Sequence, residues 1–162
     1  MQVLGLETIY PKPHLSQPGE PAVRYPSLLR GVSITRINQV WSSDITYIRL
    51  ARGFISLTAM IDWWSRFVLA WELSTTLETG FCLAAWDQAL ELAQPEIFNT
   101  DQGVQFTSKD YTKRLLESQI RMSWDGRGRA LDTIFGERLW RSVKYEEVYL
   151  KDYQTVSEAR DG

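Results

Sequence analysis

Three acidic residues, far apart in the chain, have the type and setting to do chemistry. Asp44 lies in WSSDITYI, Asp101 in NTDQG and Glu137 in FGERLWRSV, with 35 residues between the last two. Carboxylates are hard oxygen ligands. Several of them, aimed at one point from rigid elements, can hold two divalent cations about 4 Å apart, an arrangement suited to in-line displacement at phosphorus. The remaining inventory narrows the alternatives. The chain has one cysteine, Cys82, and one histidine, His14. Neither a disulfide nor a Cys/His zinc site can be built from these within one chain. Serine or cysteine nucleophiles activated by histidine would all depend on His14, which lies in a proline-rich segment. A metal site must therefore use oxygen ligands, which suits Mg²⁺ or Mn²⁺. Against this, a single Asp in a strand is commonly a polar residue on a solvated face, although strands disfavour the residue.

The elements that would position these acids follow from the pattern. Residues 1–39 read as a connector, because Pro11, Pro13, Pro18, Pro21 and Pro26 are too closely spaced for helix or sheet. Arg24, Arg30 and Arg36 make that connector basic, either as a solvated linker or as an arm along a nucleic-acid backbone. From Val40 the run VWSSDITYIRL alternates, with Asp44, Thr46 and Ile48 on one face and Ile45 and Tyr47 on the other. A turn at Ala51-Arg52-Gly53 leads to a second strand, Phe54 to Asp62, and then a third, Phe67 to Leu73. Short connections predict an antiparallel meander. Leu77 to Ala93 has helical length and composition, with Pro95 beyond its end. Glu96 to Thr100 is a short strand delivering Asp101, and Gly103 allows a tight turn. Ser108 caps a helix to about Ser118, and Ile120 to Trp124 is a fifth strand. A basic loop, 125–129, precedes a long helix from about Leu131 to Tyr149. This order predicts an α/β fold of ribonuclease-H-like layout, a five-stranded mixed sheet with flanking helices.

The last helix carries its own signal. At about 100° per residue, Leu131, Phe135, Leu139 and Val143 form an apolar seam, while Glu137, Arg141 and Lys144 share the opposite side. A surface salt bridge between Glu137 and Arg141 would account for part of this. A metal ligand beside phosphate-binding cations would account for it equally well, with Arg127, Arg129 and Arg138 nearby. Between Arg127 and Lys144, five basic residues face two acids, a local excess of +3 in a chain of net charge −2. Such a local excess is the footprint expected of a nucleic-acid contact. Composition leaves the two readings open. Trp63, Trp64, Trp71, Trp86 and Trp124 read as packing residues and Asp62 as a structural strand-end acid. Trp140, which borders the Glu137 face, is the tryptophan to consider as a base-stacking platform.

Hydrophobic residues at 44% and charged residues at 23% are ordinary for one globular domain, and no apolar run reaches membrane-spanning length. A cytoplasmic protein is expected. The segments WSSDITYI, IDWWSRFVLAWELS, EIFNTDQGVQFTS and FGERLWRSVKYEEVY together resemble the integrase-type catalytic core of bacterial insertion-sequence transposases of the DDE group, relatives of retroviral integrases. The resemblance covers roughly residues 25–162. It implies DNA cleavage and strand transfer, with Asp44, Asp101 and Glu137 as the catalytic triad holding two Mg²⁺ or Mn²⁺ ions. It also implies Arg127, Arg129, Arg138, Arg141 and Lys144 as DNA contacts, and homo-oligomers acting on insertion-sequence ends and target DNA without any membrane association. By the same resemblance, residues 1–39 correspond to the tail of a missing N-terminal DNA-binding region, and 40–162 to a core cut short at its C-terminal end. One departure concerns the residues before Glu137, where Asp132-Thr133 stands in place of the family's Asp-Asn. A non-catalytic DNA-binding remnant and a ribonuclease-H-type nuclease are the competing expectations. A retroviral integrase proper is disfavoured, since its zinc-binding domain needs more histidine and cysteine.

Overall fold

The computed structural model describes residues 25–124 and 130–162. His14, Arg127 and Arg129 fall outside them, as do the side chains of Leu131 and Phe135. Strands β1 (Val40–Arg49), β2 (Phe54–Asp62) and β3 (Val68–Ser74) form the expected antiparallel meander. Gly53, at φ +90°, makes the turn from β1 into β2 that a residue with a Cβ would strain to make. Strand β4 (Ile97–Thr100) runs parallel to β1, and β5 (Arg121–Trp124) parallel to β4. Parallel neighbours need crossovers, supplied by α1 (Gly80–Leu92) before β4 and α2 (Lys109–Glu117) before β5. Ser108 caps α2 as expected, its hydroxyl accepting from the Tyr111 amide at 3.3 Å. The spatial order is β3-β2-β1-β4-β5, so β1 is central and paired on both sides.

The two faces of the sheet carry different cores. Trp41 and Met60 face α1 and α2, packing with Trp86, Phe98, Tyr111 and Leu115. Ile48, Ile55, Leu57 and Leu73 face the other way, against Trp140, Val148 and Tyr153. The alternation of β1 thus divides its side chains between the two faces, as a period of two requires. Residues 25–39 have no regular helix or strand up to Gln39 but are not simply solvated. Leu29 is buried, the Leu28 amide donates to Ser123 Oγ at 3.0 Å, and the Tyr25 ring stands edge-on to Trp124 at 5.1 Å.

The final helix departs from the uniform helix expected through Tyr149. Helix α3 (Ala130–Ser142) passes into a π-helical segment, Val143–Val148, then α4 (Tyr149–Lys151) and a further helix, α5 (Val156–Asp161). Packing explains the change. Trp140 and Val148 enter the same core cluster. In an α-helix, at about 100° per residue, positions eight apart diverge by roughly 80°. A π-helix turns less per residue, which swings Val148 back to the face that Trp140 occupies. Among the described residues, no helix is long and apolar enough to cross a membrane.

Candidate functional site

The register of the central strands brings two of the three acids together. Ser43 pairs with Thr100 across the parallel β1–β4 ladder, so Asp44, within β1, and Asp101, the first residue beyond β4, follow one step later side by side. The Asp44 carboxylate is held at both oxygens. Oδ1 accepts from the Ile45 amide at 2.7 Å, and Oδ2 accepts from the indole N–H of Trp140 at 2.8 Å. Asp101 Oδ1 accepts from the Gly103 amide at 2.9 Å. A Cβ at Gly103 would stand 2.9 Å from that same oxygen, so a larger residue there would displace the Asp101 carboxylate. Partial burial raises the Asp101 carboxyl pKa most; the Gly103 hydrogen bond opposes the shift, and the negative charge of Asp44 adds to it. The two carboxylates therefore act on each other.

Glu137 is exposed on α3, one residue beyond Gly136. Gly136 packs directly on the first acid: a Cβ there would lie 3.1 Å from Asp44 Oδ2. The helix is thus seated over Asp44. Among the described residues, however, no group of three or more His, Cys, Asp or Glu side chains is gathered closely enough to hold a metal ion. The strand pair is brought together, and Glu137 does not complete a three-acid cluster with it. The pair itself fits a hard divalent cation: oxygen donors only, one within β1 and one at the end of the adjoining β4, with like charges that a cation would offset.

The basic residues divide. Arg138 and Arg141 are exposed and Lys144 is half-buried at the start of the π-helical segment. No salt bridge joins Glu137 to Arg141 among the described residues; the Arg141 guanidinium lies instead 6.0 Å from the Tyr145 ring centre. Arg66 was not singled out by sequence reasoning, yet it belongs to this surface. It is exposed at φ +66° in the turn after β2. Its pKa is lowered, first by burial and then by the positive charge of Arg138, against the opposing charge of Asp62. The DWWSR motif holds the local clue. Asp62 is buried and structural, as expected, accepting from the Asn38 amide and from the amide and hydroxyl of Ser65 at 2.6–3.0 Å. That network fixes the turn carrying Arg66.

Trp140 is buried, at 8% exposure, so it offers no free face for stacking a base. Trp64 and Trp71 depart from the packing role expected of them, at 52% and 48% exposure. Burial pushes the Cys82 thiol up to about 12, which removes it from nucleophilic chemistry.

Comparison with known proteins bears on the family and the fold. The integrase core domain family matches residues 34–130. The chain is 30% identical, over 125 residues, to the transposase for insertion sequence element IS629 of Shigella sonnei, an alignment covering 76% of this chain and 42% of that protein. It is 33% identical, over 115 residues, to transposase InsF for insertion sequence IS3A of Escherichia coli strain K12, covering 69% of this chain and 40% of that protein. The chain thus spans about two fifths of the length of these transposases. Among solved structures, the HTLV-2 integrase catalytic core domain in complex with magnesium superposes with a TM-score of 0.57 at 22% identity, covering 67% of this chain and 68% of that one. The simian T-cell lymphotropic virus intasome in complex with PP2A regulatory subunit B56 gamma gives a TM-score of 0.62 at 20% identity, over 77% of this chain and 45% of that one. At these identities the likeness shows the fold, which is ribonuclease-H-like.

Proposed function

The chain belongs to the integrase core domain family, and from that premise we propose that it is the catalytic core of an insertion-sequence transposase that cuts and joins DNA strands. The observation that carries the proposal is the register that sets Asp44, in β1, beside Asp101, at the end of the parallel strand β4, with the helix bearing Glu137 seated on Asp44 through Gly136. The protein's residues take three roles. Asp44 and Asp101 would hold one divalent cation together. Glu137, carried on α3, holds the second. Arg138, Arg141 and Lys144, extended by Arg66 and by Arg127 and Arg129, bind DNA phosphates and set the strand in line for attack. When bound, two Mg²⁺ or Mn²⁺ ions would activate the attacking oxygen and take up charge on the leaving one. The partners are insertion-sequence ends and target DNA, and a homo-oligomer would hold two ends together.

The test is a cleavage and strand-joining assay on DNA carrying insertion-sequence ends, run with Mg²⁺ or Mn²⁺. Asp44→Ala, Asp101→Ala and Glu137→Ala should each abolish both reactions while circular dichroism still reports a folded chain. Full metal-dependent activity in Glu137→Ala would sink the assignment.

A further inference from the structure

We infer that Trp140 is a positioning residue of this site: one indole hydrogen bond aims the Asp44 carboxylate and sets the register of α3, and so of Glu137, over β1. The inference rests on the metal-binding reading of Asp44 and Glu137 proposed above.

The geometry gives the indole little freedom. Trp140 is 8% exposed, in the core cluster that holds Ile48, Ile55 and Leu57. A ring packed among such neighbours cannot follow a wandering carboxylate, so the donor is the fixed partner and the carboxylate the adjustable one. Its N–H reaches Asp44 Oδ2 at 2.8 Å, while the Ile45 amide takes Oδ1 at 2.7 Å. Two donors on different oxygens fix the plane of the group and leave its remaining lone pairs aimed. Outer-shell hydrogen bonds of this kind orient carboxylate ligands and tune their affinity for metal.

The same bond also places the helix. Gly136 and Trp140 are four residues apart, hence on one face of α3, and both meet Asp44 Oδ2. Glu137 lies between them in sequence. A shift of α3 along β1 by as much as one residue must therefore break the indole bond or drive the helix backbone into the carboxylate, whereas a few tenths of an ångström can be absorbed. The π-helical segment that follows lets Val148 enter the same cluster without turning Trp140 away from Asp44. A tryptophan serving only as core filler would need its volume here, not its N–H.

The test uses the full chain and Trp140→Phe, which keeps an aromatic ring and removes the donor. Mn²⁺ affinity, read by electron paramagnetic resonance of the free ion, should fall by about 10- to 100-fold. DNA affinity measured without metal should stay within about twofold, a split that lost packing alone would not give. In ¹H–¹⁵N spectra of the wild type, one indole N–H resonance, missing from Trp140→Phe, should shift in Asp44→Ala and on adding Mg²⁺. If Trp140→Phe does not fold, this wild-type resonance decides, and an indole set blind to both Mg²⁺ and Asp44→Ala overturns the inference. Wild-type Mn²⁺ affinity in Trp140→Phe, alongside lost affinity in Asp44→Ala, overturns the role of Trp140 alone. Wild-type affinity in Asp44→Ala overturns the underlying site as well.

Discussion

The acids of the site stand on two kinds of support. Asp44 and Asp101 are placed by a parallel ladder of backbone hydrogen bonds, in which Val40 to Ser43 pair with Ile97 to Thr100. Glu137 is placed by side chains: Leu139 against Val40, Ile61 and Trp63, Trp140 on Asp44, and Val143 against the cluster around Ile48. A ladder fixes position through many identical bonds, and slipping it by one residue would turn every side chain to the wrong face. A helix held by a few packing contacts and one hydrogen bond has more give. Asp101 accordingly already feels the charge of Asp44, while the helix-borne acid completes no three-acid cluster with them among the described residues.

The largest expected effects probe this difference directly. Replacing either kind of acid by its amide, as in Asp101→Asn or Glu137→Gln, should lower strand transfer about a thousandfold, roughly 4 kcal/mol of transition-state stabilisation. Changing length rather than charge separates the supports. Asp101→Glu drives its extra methylene into the close turn at Gly103 and should lose nearly as much as the amide. Glu137→Asp can be met by a small shift of α3 and should lose only about 10- to 100-fold. Equal losses in rate assays would break the comparison.

Next in size is the glycine on which the helix sits. Gly136→Ala gains helix propensity of about 1 kcal/mol, offset by a Cβ crowding Asp44. That Cβ would lie 3.1 Å from Oδ2, so the helix or the carboxylate must yield by a few tenths of an ångström. Denaturant melts should therefore move by no more than about 1 kcal/mol, while activity drops by about tenfold, since small misplacements near the chemistry are costly. Gly103→Ala makes the converse case on the strand side. It gains no helix stability and sets a Cβ 2.9 Å from Asp101 Oδ1, so its loss of activity should be at least as large.

Legibility in the sequence divides between the elements and their pairing. The alternation of Val40–Arg49, the turn at Gly53 and the Ser108 cap are local signals that give the elements, whereas the parallel β1–β4 pairing that aligns Asp44 with Asp101 joins residues 57 apart and has no local signal. The seating of α3 has none either. The Trp140–Asp44 bond spans 96 residues, and VKYEEV has an ordinary helical composition even though Val148 forces it into a π-helix. Residues 25–39 mislead in the opposite way. They hold no regular element, yet Tyr25 and Leu28 dock on β5 and Leu29 is buried with Val40 and Ile97, through contacts that no short-range pattern encodes. Arg66 was missed because its importance lies in its proximity to Arg138, 72 positions away in the chain.

A smaller effect should appear in stability against pH. The Asp101 carboxyl pKa is raised in the folded chain, so the native state binds this proton more readily than the unfolded state. Its favourable contribution is complete below the ordinary carboxylate pKa and is lost as pH rises through the raised folded value. At neutral pH the ionised group therefore opposes folding. Asp101→Asn should be slightly more stable than the wild type at pH 7, with the advantage vanishing in acid. Urea melts across that range check the sign. An advantage that grew as pH fell would contradict it.

The smallest effect concerns the cations, where the strand turn and the helix meet. Arg66 and Arg138 stand in each other's field, a repulsion that a bound phosphate would relieve. If the β2–β3 turn contributes one phosphate contact, Arg66→Ala should weaken DNA binding by a similar factor for all sequences. It should also reduce the magnitude of the slope of log K against log salt by about 0.9 on duplex DNA. Because the Ser65 amide and hydroxyl and the Asn38 amide all donate to Asp62, the turn keeps these contacts in Arg66→Ala, and the melting temperature should fall far less than DNA affinity. An unchanged salt slope would confine the DNA surface to the helix. A full unit lost would show that the rigid hairpin and the adjustable helix grip the same strand.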